Sequence, residues 1–231
     1  MSDHKPAAKW EDAVQWLRSQ PDQQELVRFC FFDDPLEAAA RRYEESSEWR
    51  EIRNKYLPQG KGRALDLGAG RGIASYALAV SGWQVTALEP DPSDIVGAGA
   101  IRELASASHL PIEVCQEYGE KLPFPDRSFD LVFGRQVLHH AHDLGTFCSE
   151  MARVLVPGGI LICIREHVIS RKTDLARFQA EHPLHRLYGG EHAFLLKEYL
   201  KALRSAGFNI RHVLNPFSSN INLYPTPKTE L

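Results

Sequence analysis

Arg63-Ala-Leu-Asp-Leu-Gly-Ala-Gly-Arg-Gly-Ile-Ala-Ser-Tyr-Ala-Leu78 decides how the rest of the chain is read. Ala64 to Leu67 have the pattern of a short buried strand carrying one acid, Asp66. Glycines follow at alternate positions, Gly68, Gly70 and Gly72. An amphipathic helix then begins, with Ile73, Ala74, Ala77 and Leu78 on one face and Gly82 suited to its C′ position. Strand, glycine turn and helix make a ligand-cradling unit. The glycines permit a tight turn and close approach to the backbone. The helix N-terminus offers free N–H groups to a polar or negative group.

Outward from this unit, the chain alternates between strand and helix. Strands are expected at Gln84–Leu88, Ile112–Gln116, Phe129–Gly134 and Ile160–Ile164. Helices are expected from near Ser93, with Gly97 and Gly99 weakening it, and at Leu144–Leu155. Leu196, Tyr199, Leu200 and Leu203 mark a last long helix that Gly207 ends. Asn209–Leu214 and Asn220–Tyr224 are expected as two final strands in an antiparallel edge. The alternation predicts a parallel sheet with helices on both faces.

Before Lys61 the pattern is helical. Residues 1–8 are expected to be disordered. Helices are expected over Trp10–Gln20, Gln23–Phe32 and Leu36–Tyr56, the last bending at Ser46-Ser47, with Asp34 as N-cap and Pro35 in the first turn. This divides the chain into a helical cover, 1–60, over a core domain, 61–231. Tyr43 and Trp49 suit either a substrate pocket or plain packing.

Composition narrows the function. The chain has 231 residues, 43% hydrophobic and 25% charged, enough for one domain with an appendage. A net charge of −3 gives nothing to attract a polyanion, so nucleic acid is not expected as a partner. Neither a signal peptide nor a membrane span is read, so a cytoplasmic location is the default. Cys30, Cys115, Cys148 and Cys163 lack metal-like spacing and read as buried free thiols.

In an open parallel sheet, ligands bind at the carboxyl ends of the strands near the switch in strand order. There the first strand delivers Asp66 and the glycine turn. The second delivers Glu89, about 21 residues beyond Gly68, a spacing that suits a carboxylate accepting from both hydroxyls of a ribose. The third leads to Tyr118-Gly119-Glu120 and the fourth to Gly134-Arg135-Gln136 and a His-rich turn. A dinucleotide fingerprint needs a third glycine where this chain has Ile73.

Leu65-Asp-Leu-Gly-Ala-Gly-Arg-Gly72, Ala87-Leu-Glu-Pro90, Glu120-Lys-Leu-Pro-Phe124 with Ser128-Phe-Asp-Leu-Val132, and Arg153-Val-Leu-Val-Pro-Gly-Gly159 occur in order and at family spacing. Together they resemble the motifs of the class I S-adenosylmethionine-dependent methyltransferases, bacterial small-molecule type. The resemblance implies a Rossmann-like, doubly wound, seven-stranded, mostly parallel sheet with one antiparallel strand. It implies S-adenosylmethionine as cofactor and a small-molecule methyl acceptor. By resemblance, Asp66 with Gly68, Ala69, Gly70 and Gly72 holds the methionine part. Glu89, followed by Pro90, holds the ribose, Gly119 and Glu120 lie at the adenine, and Arg135 flanks the methionine amino group through its carbonyl. Relatives carry an adenine-binding Asp where this chain has Tyr118, which could stack on the ring or point away.

Methyl transfer needs alignment and dryness above all, and a base only when the acceptor must lose a proton early. His140, after the fourth strand, and His167, after the fifth, are the candidates. No metal is expected: His182, His185 and His192 share a loop, but no cysteine or paired carboxylate completes a set, and the loop reads better as a substrate lid. The absence of an Asn-Pro-Pro-Tyr sequence after the fourth strand disfavours N-methylation of adenine or glutamine amide. An NAD-type module and a cofactor-binding protein without transfer activity are the alternatives.

Overall fold

The computed structural model describes residues 9–58, 62–182 and 184–225. The segment expected to be disordered, residues 1–8, lies outside them. Five strands form one parallel sheet: β1 (Arg63–Leu67), β2 (Gln84–Leu88), β3 (Ile112–Cys115), β4 (Phe129–Arg135) and β5 (Leu155–Ile164), in the order β3-β2-β1-β4-β5. The chain leaves β1 in one direction through β2 and β3, then returns to β1's other side with β4. The carboxyl end of β1 is therefore the switch point, where an open sheet leaves a crevice for a ligand.

Alternation along the strands builds two apolar layers. Ala64, Leu131 and Phe133 face one side and pack with α3 (Leu36–Glu44), α4 (Ser47–Lys55), α5 (Ile73–Val80) and Leu104 of α6 (Ala98–Ser108). Leu65, Leu67 and Val132 face the other and pack with α7 (Leu144–Val154) and α10 (Leu196–Ser205). Tyr43 and Trp49 are fully buried in the first layer, their rings 5.7 Å apart, so of the two roles open to them they take packing.

The helical segment divides where the sequence is punctuated. α1 covers Trp10–Ser19, and Pro21 opens a single 3-10 turn before α2 (Gln24–Phe29). The third expected helix is two helices, α3 and α4, because the Ser46 hydroxyl accepts from the Trp49 N–H at 3.0 Å and starts a new one. Asp34 does not cap α3. Its carboxylate pairs with Arg18 and Arg71 instead, and Arg71 also donates to the carbonyls of Phe31 and Asp33, both at 2.9 Å. Residues 31–34 are thus pinned to the glycine turn itself.

The His-rich region is more ordered than a loop. β6 (Val168–Ile169) pairs in parallel with β7 (Phe194–Leu195), and α8 (Leu175–Glu181) and α9 (His185–Tyr188) lie between them. Trp10 packs its ring 4.8 Å from Tyr188 and 5.6 Å from Phe32, joining this region to α1.

Two expectations about the sheet are overturned. Residues 209–214 run without regular structure, and Asn220–Leu223 is a short helix, α11. Among the described residues the main sheet has five strands rather than the expected seven, and none is antiparallel. The helix expected from near Ser93 starts later, at Ala98, with Gly97 as its N-cap and Gly99 in its first turn. A Cβ at either would collide with Asp91 or Asp94, so the tight entry to the helix needs both. All four cysteines are free; Cys148 is buried and the others half-buried. No described helix is long and apolar enough to cross a membrane.

Candidate functional site

The glycine turn leaves β1 with Gly68, Gly70 and Gly72 at φ +58°, +53° and +81°, a region that side chains with a Cβ enter only at a cost. Ala69 between them donates its N–H to the Leu88 carbonyl at 3.0 Å, tying the turn to the end of β2. A Cβ on Gly68 would stand 2.5 Å from Val137, whereas around Gly70 the space is open. Gly68 therefore seats the segment after β4, and Gly70 leaves room for a ligand. Gly68→Ala combines a left-handed strain with that clash and is expected to lower stability by about 2–4 kcal/mol, read as the shift in urea midpoint; an unchanged midpoint would contradict the packing.

Two acids stand beside the turn. Asp66 is 1% exposed and accepts from the Ser75 hydroxyl of α5 at 2.6 Å. Burial raises its carboxyl to about 7, against the hydrogen bonds from Ser75 and the charge of Arg135. Glu89 ends β2 and is 8% exposed. Its Oε2 accepts from the Gly70 N–H at 2.8 Å and its Oε1 from the Asp91 N–H at 3.0 Å, across Pro90. Burial raises this carboxyl to about 7 as well, opposed by those two backbone bonds. Each carboxylate oxygen has a second lone pair. Glu89 thus offers a fixed acceptor pair beside the open space at Gly70.

The other sequence-predicted residues gather at the same edge with different weights. Gly119 is buried against Phe147 of α7, leaving no room there for a Cβ. Glu120 accepts from the His142 N–H at 2.8 Å, joining the segment after β3 to the one after β4. Tyr118 is 64% exposed. The Arg135 side chain turns into the helical layer, where Glu48 accepts from its Nε at 2.7 Å and Nη2 at 3.3 Å. Its guanidinium lies over the rings of Phe31 and Tyr43.

The histidines sort themselves unexpectedly. His140 lies at the surface, its ring 4.2 Å from that of His139. His139, which the sequence did not single out, is 1% exposed. Glu166 accepts from the backbone N–H groups of Val137, Leu138 and His139 and sits 2.8 Å from His139 Nδ1. On the other side, His139 Nε2 stands 3.6 Å from Glu191. Burial alone would lower the imidazole; the two glutamates outweigh it and raise it to about 9. His167 stacks on His139 at 4.1 Å and is held down to about 4 by burial and by its neighbour's charge. Glu191, buried yet lowered to about 2 by His139 and Tyr188, accepts from the Tyr188 hydroxyl at 2.6 Å. His182, His185 and His192 do not converge as a trio; among the described residues the group that does is His139, His167 and Glu191.

A family model described as "Methyltransferase domain" matches residues 65–163, from β1 to β5. A ubiquinone biosynthesis O-methyltransferase of Rhizobium etli is 30% identical over 169 residues, covering 70% of this chain and 67% of that protein. The protein of the same name from Bradyrhizobium diazoefficiens is 31% identical over 156 residues, covering 68% and 58%. The match thus spans roughly three fifths to two thirds of these relatives. A crystallised candidate methyltransferase of Bacillus halodurans superposes with a TM-score of 0.61 at 26% identity, over 71% of this chain and 69% of that one. An S-adenosylmethionine-dependent methyltransferase of Mesorhizobium loti shares the fold, with a TM-score of 0.56 at 24% identity over 74% and 84%. With the glycine turn, Asp66 and Glu89 on one edge of such a sheet, the chain belongs to the class I S-adenosylmethionine-dependent methyltransferases.

Proposed function

We propose that this chain moves the methyl group of S-adenosylmethionine to an oxygen of a small-molecule acceptor. The observation that carries the reading is Glu89, buried, clamped by the Gly70 and Asp91 N–H groups, and facing open space at Gly70. That cradle fits the cofactor. Glu89 accepts from the ribose hydroxyls, and Asp66 with the Gly68–Gly72 turn holds the methionine end. Pro90 and Ala69 shape the walls, and Gly119 and Glu120 lie at the adenine. Arg135 keeps its backbone at the methionine end, its side chain being committed to Glu48. When bound, the cofactor supplies an activated methyl group and its leaving group.

The protein's remaining work is to align the acceptor and exclude water. A hydroxyl nucleophile must lose its proton, and imidazoles stand after β4 and β5 to accept one. His140 is the surface imidazole that can take a hydroxyl proton, and His167, which also packs against His139, is the second such group when no ion is bound there. The names of the relatives agree with oxygen. We also propose that residues 1–60 act as the cover of the 61–231 domain, and that the protein is cytoplasmic.

The pH dependence of cofactor binding follows from the two acids. Each is at about 7 in the free protein, and each must be ionised to accept from the hydroxyls or pair with the amino group. Affinity is therefore fully present above that value and is lost as pH falls through it. Between pH 8 and pH 6 it is expected to drop by about tenfold per group, measured by calorimetric titration; a flat profile would show that the acids are not the ligands. Transfer is tested by incubating protein and cofactor with phenols, alcohols and carboxylates, with amines and thiols as controls. Methylated oxygen products support the reading, and products only from amines or thiols overturn it.

A further inference from the structure

We propose that His139, His167 and Glu191 form a binding site for one divalent transition-metal ion of the zinc type. One ring nitrogen of His139, one of His167 and a Glu191 carboxylate oxygen all lie within 4.8 Å of one another. Glu191 Oε2 is 3.6 Å from His139 Nε2 and 3.5 Å from His167 Nδ1. Ligand atoms around a tetrahedral zinc ion, with bonds of about 2.0–2.1 Å, are spaced at roughly 3.4 Å. These two separations are too long for good hydrogen bonds and close to the spacing of two ligand atoms on one ion.

Three further observations point the same way. Glu191 is 6% exposed, yet its Oε2 has no hydrogen-bond partner, and neither has His167 Nδ1. Two polar atoms buried without partners and facing each other are costly unless something binds both. The outer atoms of the ligands are already fixed as a metal site requires. Glu166 sits at 2.8 Å from His139 Nδ1, which sets that nitrogen as the donor and turns Nε2 inward. The Tyr188 hydroxyl occupies Glu191 Oε1 at 2.6 Å, leaving Oε2 for the ion. Glu166 also ties down the N–H groups of residues 137–139, so the His139 ring is carried by rigid backbone.

Two imidazoles and a carboxylate suit zinc and leave at least one coordination position open. On binding, the ion displaces the proton on His139 Nε2 to solvent. His139 lies on the segment after β4 that packs on Gly68 through Val137, and His167 follows β5, so the site stands by the carboxyl ends of these two strands. An acceptor hydroxyl bound at the open position would be held in place and acidified. That use rests on the methyl-transfer reading; the ion site does not.

The test is a Co²⁺ titration of the full chain after treatment with a chelator. One equivalent should give the visible absorption of a low-coordinate cobalt ion, and Zn²⁺ should displace it. Glu191→Gln and His167→Gln should each weaken binding at least about 100-fold, and Glu166→Gln about 10–100-fold. His182→Gln should leave it unchanged, although its ring lies 5.3 Å from that of His167. Thermal melting and titration with S-adenosylmethionine check that each variant is folded; His167, the more exposed ligand, carries the test should Glu191→Gln fail that check. No cobalt absorption at about 100 μM protein and metal, or equal absorption in Glu191→Gln or His167→Gln, overturns the proposal. Cobalt binding without S-adenosylmethionine binding would remove the methyl-transfer reading and leave this site standing; the reverse would remove this site alone.

Discussion

Glu89→Ala is expected to weaken S-adenosylmethionine binding by about 100-fold or more while leaving the free protein folded. The carboxylate is proposed to accept from both ribose hydroxyls, and hydrogen bonds to a charged group contribute about 1.5–3 kcal/mol each. Two such bonds correspond to a factor of at least 100 in dissociation constant. The residue also holds the Gly70 N–H at 2.8 Å, so its loss loosens the turn as well as the ribose contact. Stability should move in the other direction or hardly at all. Burial raises the carboxyl to about 7, above its unfolded value, so ionisation of Glu89 opposes folding as pH rises from the ordinary carboxylate range through 7. Calorimetric titration together with a thermal melt separates the two effects. Retained affinity would show that the sugar lies elsewhere, and a collapsed melt would show that Glu89 is structural.

The second large effect concerns the joint between the helical layer and the sheet. Glu48 is fully buried and is paired with Arg135, whose side chain is 12% exposed, and with Arg165 at 3.4 Å. Glu48→Ala leaves Arg135 buried without its counter-charge, and removing one partner of a buried pair typically costs about 3–5 kcal/mol. Replacing Glu48 and Arg135 together by apolar groups is milder, because the more deeply buried arginine is then gone, and Arg165 keeps the carbonyls of Ile221 and Tyr224 as acceptors. Glu48→Ala should therefore shift the urea midpoint strongly, and Glu48→Leu combined with Arg135→Met should recover most of the loss. If the double variant is as unstable as the single one, the pair itself, and not the stranded charge, is the stabilising feature. The loss should extend to cofactor binding, since Arg135 ends β4 beside the glycine turn.

What was legible in the sequence was local. Asp66, the three glycines and Glu89 are separated by short, fixed elements, so spacing alone predicts that a parallel sheet brings them to one edge. The break at Ser46 and the end of α10 at Gly207 are likewise set by neighbouring residues. What was not legible depended on distant partners. Glu48 meets Arg135 across 87 positions, and Glu166 meets His139 across 27, so nothing in local pattern marks either acid as buried. Adjacent residues in a turn diverge, here His139 inward and His140 outward, and spacing does not say which. Asp34 looked like a helix cap because Pro35 follows it, but pairing with two arginines overrode local propensity. The final strands failed for a related reason. Asn209–Leu214 has only a few apolar residues among polar ones, and Asn222 ties its end by donating to the Asn215 carbonyl at 2.9 Å, giving the backbone a partner other than a strand ladder.

The central claim is that one turn of main chain and one carboxylate hold opposite ends of the same sulfonium nucleoside. Titration calorimetry of the purified chain with S-adenosylmethionine, alongside NAD as a control, tests it most directly. The account predicts a single saturable site for S-adenosylmethionine that disappears in Glu89→Ala and no heat with NAD. Heat with NAD, and none with S-adenosylmethionine at millimolar concentration, would contradict it.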